Sequence, residues 1–84
     1  MTNGKQFGKR VEKMRLERGL STEELATKAG LSYQSVWRIE RGLQGTPGLF
    51  TAGRLAQALR CSLDYLIALN EEDIDSEYMP AAVA

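Results

Sequence analysis

Five side chains in the stretch "SYQSVWRIERG" carry groups that can recognise a nucleic-acid base: Tyr33, Gln34, Trp37, Arg38 and Arg41. On a helix advancing 100° per residue, with Tyr33 at zero, Trp37 falls at about 40°, Arg41 at about 80°, Gln34 at about 100° and Arg38 at about 140°. All five therefore share one face. Val36, Ile39 and Glu40 fall between about 240° and 340°, on the other side. Val36 and Ile39, helped by Leu31, bind the helix to its neighbours, which forces the polar and aromatic face outward. A glutamine can bond adenine N6 and N7 together, an arginine can bond guanine O6 and N7, and aromatic rings can meet thymine methyl groups or sugars. Such a face suits the major groove of DNA.

The flanking sequence supplies the elements that must hold this face in place. In "FGKRVEKMRLERG", Phe7, Val11 and Met14 recur at helical spacing, and Gly19 is placed to end that first helix in the left-handed conformation. "STEELATKAG" opens with Ser21 and Glu24 in the order of a capping box, turns Leu25, Ala26 and Ala29 inward, and stops at Gly30. Ser32 caps the helix carrying the five side chains, which is expected to run to Gly42. "LQGTPGLFT" has turn chemistry and is expected to be a loop, with Thr51 capping a fourth helix, "AGRLAQALR". Ser62 caps a fifth, "LDYLIALN", with Asp64 in its first turn. The expected architecture is all-α, a five-helix domain over residues 1–70. The tail 71–84, "EEDIDSEYMPAAVA", is acidic, then small and apolar, and has no clear helical period, so it is expected to fray rather than form a sixth helix.

Composition narrows the function classes. Eighty-four residues suit one domain that buries only about 60% of its unfolded surface, too little for an enzyme cleft beside an independent core. The 43% hydrophobic and 26% charged fractions are those of ordinary globular domains. There is no histidine and one cysteine, so neither a zinc site nor an intramolecular disulfide is expected, and Cys61 reads as a small buried hydrophobe rather than a reactive thiol. The polar N-terminus and the lack of an apolar run of about 18 residues point to a cytoplasmic protein without a membrane partner. The net charge of zero hides an asymmetry: residues 1–60 hold all eleven Lys and Arg against five acids, while residues 61–84 hold six acids and no base. A surplus of positive charge on the first sixty residues suits a polyanion, although solvated helix faces would give the same count. No cofactor is expected. With no histidine, no cysteine pair and no glycine-rich phosphate loop, catalysis is not expected either.

An eight-residue helix, a tight turn centred on Gly30 and a second helix whose apolar positions return to the first is the order of a helix-turn-helix. With "LERGLSTEELATKAGLSYQSVWRIERG" followed by "RLAQALRCSLDYL", the chain resembles the phage-repressor and Cro family, also called lambda-repressor-like, over about residues 7–69. The resemblance implies a DNA-binding domain whose base readers are Tyr33, Gln34, Trp37 and Arg38, with Ser32 and Ser35 at the edge. It places a phosphate against the N-terminus of the second helix, at Ser21 and Thr22. Arg41, Lys9, Arg10 and Lys28 follow as further phosphate contacts. It also implies a structural ion pair, Arg15 with Glu40. The loop after Gly42 departs from the family in having no charge, which leaves Gln44, Thr46 and backbone amides to meet phosphate there.

A single reading helix makes few base contacts, and two copies about a twofold axis read two half-sites about 34 Å apart. A homodimer on a pseudo-palindromic double-stranded operator is therefore expected, with Leu49, Phe50, Leu66, Ile67 and Leu69 at its interface. Of the three apolar residues Leu43, Leu49 and Phe50, some are expected to enter the core and the rest to pair copies. The function expected is transcriptional regulation, as a repressor, with no room for a sensor domain. The alternative is a protein-interaction module or an antitoxin-type regulator that engages a protein partner through the acidic tail or the Trp37 face.

Overall fold

A computed structural model describes residues 4–45 and 47–67. Five helices follow one another: α1 (Gly4–Glu17), α2 (Thr22–Ala29), α3 (Tyr33–Glu40), α4 (Leu49–Leu59) and α5 (Leu63–Leu66). The described residues contain no strand. They also contain no helix long and apolar enough to cross a membrane, and no cluster of His, Cys, Asp and Glu suited to a metal ion.

Local hydrogen bonds place most helix ends. Ser21, Ser32 and Ser62 each sit at an N-cap in extended backbone and accept a bond from the amide three residues on. Gly19 closes α1 with φ 69°, the left-handed conformation that costs glycine least. The start of α4 differs from expectation. Thr51 is not its cap: the helix begins at Leu49 after Gly48, without a side-chain cap bond, and Thr51 lies in its first turn. An uncapped start leaves no signal in the sequence. The other end of α4 is equally silent, since Arg60 rather than glycine takes the left-handed cap, with φ 56°.

One core joins all five helices. Phe7 and Val11 of α1, Leu25 of α2, Val36 and Ile39 of α3, Leu55 and Leu59 of α4, and Leu66 of α5 are all fully buried in it. The side chain of Arg18, just past α1, donates to the backbone carbonyls of Leu59 at 2.8 Å and Arg60 at 3.2 Å, which ties α1 to the end of α4. Cys61 packs half-buried against the core. Burial pushes its thiol pKa up against the opposing charge of Arg18, so the thiolate is scarce near neutrality.

The apolar residues around the start of α4 do not behave as expected. Neither Leu43, Leu49 nor Phe50 enters the core; all three are exposed, Phe50 by 84%. Leu66, expected at a dimer surface, is instead wholly inside. A residue of a four-residue helix packed against α4 and α1 has no outward side to offer at that position. Leu69 and the acidic tail lie outside the described residues.

Candidate nucleic-acid interface

The site is built from α2, the turn after it, and α3. The capping box at the start of α2 is complete: the Ser21 hydroxyl accepts from the Glu24 amide at 3.0 Å, and the Glu24 carboxylate accepts from the Ser21 amide at 2.8 Å. Two of the open donors at this helix start are thereby used, and those of Thr22 and Glu23 remain directed outward along the helix axis. Replacing Ser21 with alanine is expected to lower domain stability by about 1 kcal/mol, read as a shift of the urea unfolding midpoint at unchanged slope.

Gly30 then turns the chain. With φ 70° it closes α2 in the left-handed conformation. Its amide donates to the Thr27 carbonyl at 3.2 Å, and the Leu31 amide to the Ala26 carbonyl at 2.9 Å. Leu31 and Ser32 complete the turn, and Ser32 starts α3 by accepting from the Ser35 amide at 3.1 Å. The Ser32 and Ser35 hydroxyls also meet each other at 2.9 Å. Both hydroxyls are thus engaged in starting the helix.

The inner side of α3 is held twice. Val36 and Ile39 enter the core. At its last residue, the buried Glu40 carboxylate receives Arg15 in a two-bond fork, Nε at 2.7 Å and Nη2 at 3.2 Å, while Arg15 Nη1 reaches the Leu20 carbonyl at 2.9 Å. Gly8 lets α1 approach closely at the same place. A Cβ there would lie 2.0 Å from the Ile39 carbonyl oxygen. Gly8 carries no distinguishing sign in the sequence beyond being a small residue beside the core residue Phe7.

With its inner side fixed, α3 turns Gln34 and Arg38 to solvent, and Tyr33 is 51% exposed. Trp37 is less open, at 38%, because the Arg41 guanidinium lies over its ring at 5.1 Å. Glu12 of α1 stands beside that guanidinium at 4.0 Å. The structure therefore leaves four of the five side chains, Tyr33, Gln34, Trp37 and Arg38, exposed along α3 and places the fifth, Arg41, at its C-cap as a cover on Trp37.

Those two helices and their turn lie within the match to a known family. The family model for the helix-turn-helix aligns with residues 11–66, more than half of the chain. The chain belongs to the helix-turn-helix family. Among helix-turn-helix relatives it is 38% identical over 61 residues to the transcriptional repressor RghR of Bacillus subtilis, covering 73% of this chain and 45% of that protein. It is 38% identical over 72 residues to the transcriptional regulator SinR of Bacillus licheniformis, covering 86% and 62%. It thus spans between about half and three fifths of the length of these relatives. Among solved helix-turn-helix structures it is similar to the restriction-modification controller protein C.AhdI of Aeromonas hydrophila, with a TM-score of 0.71 at 35% identity over 75% of this chain and 94% of that one. It is also similar to SinR in complex with DNA, with a TM-score of 0.70 at 35% identity over 71% and 95%. The P22 c2 repressor bound to a synthetic operator shares the fold at a TM-score of 0.70 and 26% identity, covering 76% of this chain and 96% of that one.

The remaining expected contacts of this helix-turn-helix domain divide. Lys9 and Gln44 are exposed. Thr46 lies outside the described residues. Lys28 is exposed too, but lines a groove of about 620 Å³ between the end of α2 and α4, together with Arg54 and Arg60. Arg10 is a correction. It is only 7% exposed, with its guanidinium 5.1 Å above the Tyr65 ring, so it joins α1 to α5 and is not available to a phosphate. Helical spacing placed Arg10 correctly on α1, but which flank α5 covers is a matter of tertiary packing.

Proposed function

We propose that the chain is a transcriptional regulator, a repressor, that binds double-stranded DNA in a sequence-specific manner by laying α3 in the major groove. The observation that carries this reading is the outward face of α3: Tyr33, Gln34 and Arg38 stand exposed on a short helix whose opposite face is locked by Val36, Ile39 and the Arg15–Glu40 pair. Rigid presentation of donor and acceptor groups is what base-edge recognition needs. Membership of the helix-turn-helix family and the likeness to a DNA-bound SinR and an operator-bound repressor support it. Gln34 and Arg38 are the base readers, Tyr33 and the exposed edge of Trp37 flank them, and the open amides of Thr22 and Glu23 meet phosphate. The protein works in the cytoplasm and has no catalytic role.

Two copies act together on a pseudo-palindromic operator. The exposed Leu43, Leu49 and Phe50 around the start of α4, and Ile67 after α5, are apolar residues that can join them. The protein-partner reading through Trp37 has less support, because Arg41 covers one side of the ring.

Selection of random duplexes on the purified chain tests the proposal, followed by affinity measurements at several salt concentrations. A twofold-symmetric site is expected, with losses of about 1–3 kcal/mol for Gln34→Ala and for Arg38→Ala, each confined to the base pair it reads. Failure to select any sequence, with both variants binding duplexes like the parent, would remove α3 from DNA recognition.

A further inference from the structure

We propose that Glu12, on α1, is a positioning residue for the reading face: it holds the Arg41 guanidinium over Trp37 and off the DNA backbone, which keeps a sequence-independent phosphate contact from forming at the end of α3. The inference rests on the reading of α3 as the helix that enters the groove.

Glu12 Oε2 lies between two guanidinium groups, 3.9 Å from Arg15 Nη2 and 4.0 Å from Arg41 Nη1. Arg15 is already committed, to both Glu40 oxygens and to the Leu20 carbonyl. Among the described residues Glu12 is the one carboxylate beside Arg41, and it bears on where that side chain points. On its other side the Trp37 ring lies 5.1 Å away, which attracts a cation through the negative face of the indole. Arg41 also caps the C-terminus of α3, where the helix dipole favours a positive charge. Glu12, Arg15, Glu40 and Arg41 together form a neutral cluster across the α1–α3 contact. Exposed pairs at about 4 Å are individually weak, so Glu12 acts through direction and competition rather than through bond strength. An arginine released toward phosphate raises affinity for every duplex alike, whereas one held back leaves discrimination to Gln34 and Arg38.

The test compares the parent chain with Glu12→Gln, Arg41→Gln and the double variant, on a selected operator duplex and on a scrambled duplex, at several salt concentrations. Glu17→Gln, which removes an equal charge further along α1, serves as the control. Glu12→Gln is expected to bind scrambled duplex severalfold more tightly, to steepen the salt slope by about 0.9, the value of one added phosphate contact, and to narrow the operator preference. Arg41→Gln should cancel all three effects in the double variant while changing little alone. Equal effects of Glu12→Gln and Glu17→Gln would overturn the proposal, as would an equal loss on Arg41→Gln in both backgrounds.

A second readout needs no DNA. Trp37 is the only tryptophan of the chain, so its emission reports the cover on its ring. Glu12→Gln and Arg41→Gln should shift that emission alike; a shift for Arg41→Gln alone would show that Glu12 does not hold the arginine. Thermal melts check that the variants fold, and Glu12→Asp, which keeps the charge but shortens the reach, replaces Glu12→Gln if that variant does not. It should show the same signs at smaller size. If the parent binds no duplex at all, the DNA-reading function falls, while the emission result still decides the Glu12–Arg41 contact.

Discussion

Replacing Arg15 with methionine is expected to destabilise the domain by about 3–5 kcal/mol, a large part of the roughly 5–15 kcal/mol that holds a small domain folded. The reason is the state in which the change leaves Glu40. Its carboxylate is buried and accepts both of its short bonds from Arg15. Without the guanidinium a charge remains inside a domain that offers it little water, and removing one partner of such a pair costs far more than the pair is worth over an apolar substitute. The double variant Arg15→Met with Glu40→Met should therefore recover much of the loss. Recovery will be incomplete, because Arg15 also donates to the Leu20 carbonyl. Urea unfolding of the two single variants and the double variant measures all of this. Equal stability of Arg15→Met and the parent would mean that the fork between α1 and α3 is not closed in solution. The same pair fixes the last residue of α3, the helix proposed to read DNA, so on that proposal DNA affinity should fall with stability in Arg15→Met and return in part in the double variant.

The second large effect contrasts two helical glycines. Alanine is a better helix former than glycine by about 1 kcal/mol, and propensity alone predicts that both Gly8→Ala and Gly53→Ala stabilise. At Gly53, inside α4, an added Cβ meets nothing within 4 Å, and the gain of about 1 kcal/mol is expected in full. At Gly8 the same atom would lie 2.0 Å from the Ile39 carbonyl oxygen and 3.0 Å from that of Glu40. Both obstacles are backbone, which cannot swing aside as a flexible side chain can. Helix α1 must therefore lift from the end of α3, at a cost of about 1–3 kcal/mol or more that outweighs the propensity gain. Gly8→Ala is expected to lower the unfolding midpoint, Gly53→Ala to raise it, and Gly8→Val to exceed Gly8→Ala in the same direction. A stabilised Gly8→Ala would show that α1 and α3 stand further apart than the close approach at Ile39 requires. Lifting α1 also disturbs the Arg15–Glu40 fork, so the two perturbations share a contact and should not add.

What the amino-acid sequence determined unaided is most of what depends on residues a few positions apart, the two ends of α4 excepted. The capping box of Ser21 and Glu24, the serine caps at Ser32 and Ser62 and the glycine stops at Gly19 and Gly30 are each closed by bonds spanning only a few residues, and each stands where its residues place it. Periodicity likewise divided α3 into its buried and outward sides, because burial of Val36 and Ile39 settles the direction of every other side chain on so short a helix. Tertiary structure decided whatever depends on which element lies opposite. Leu66 and Phe50 are both apolar residues in a first or last turn, yet Leu66 is covered by α4 and α1 while Phe50 is left in solvent. Arg10 and Lys9 are neighbours on α1, yet Arg10 is buried with Tyr65 of α5 against its guanidinium while Lys9 is exposed. The same holds for Gly8 against Gly53, and for Glu12, which meets Arg41 at the end of another helix. Short-range hydrogen bonds are written in the order of residues, whereas a contact between helices exists only once the core has chosen how they pack.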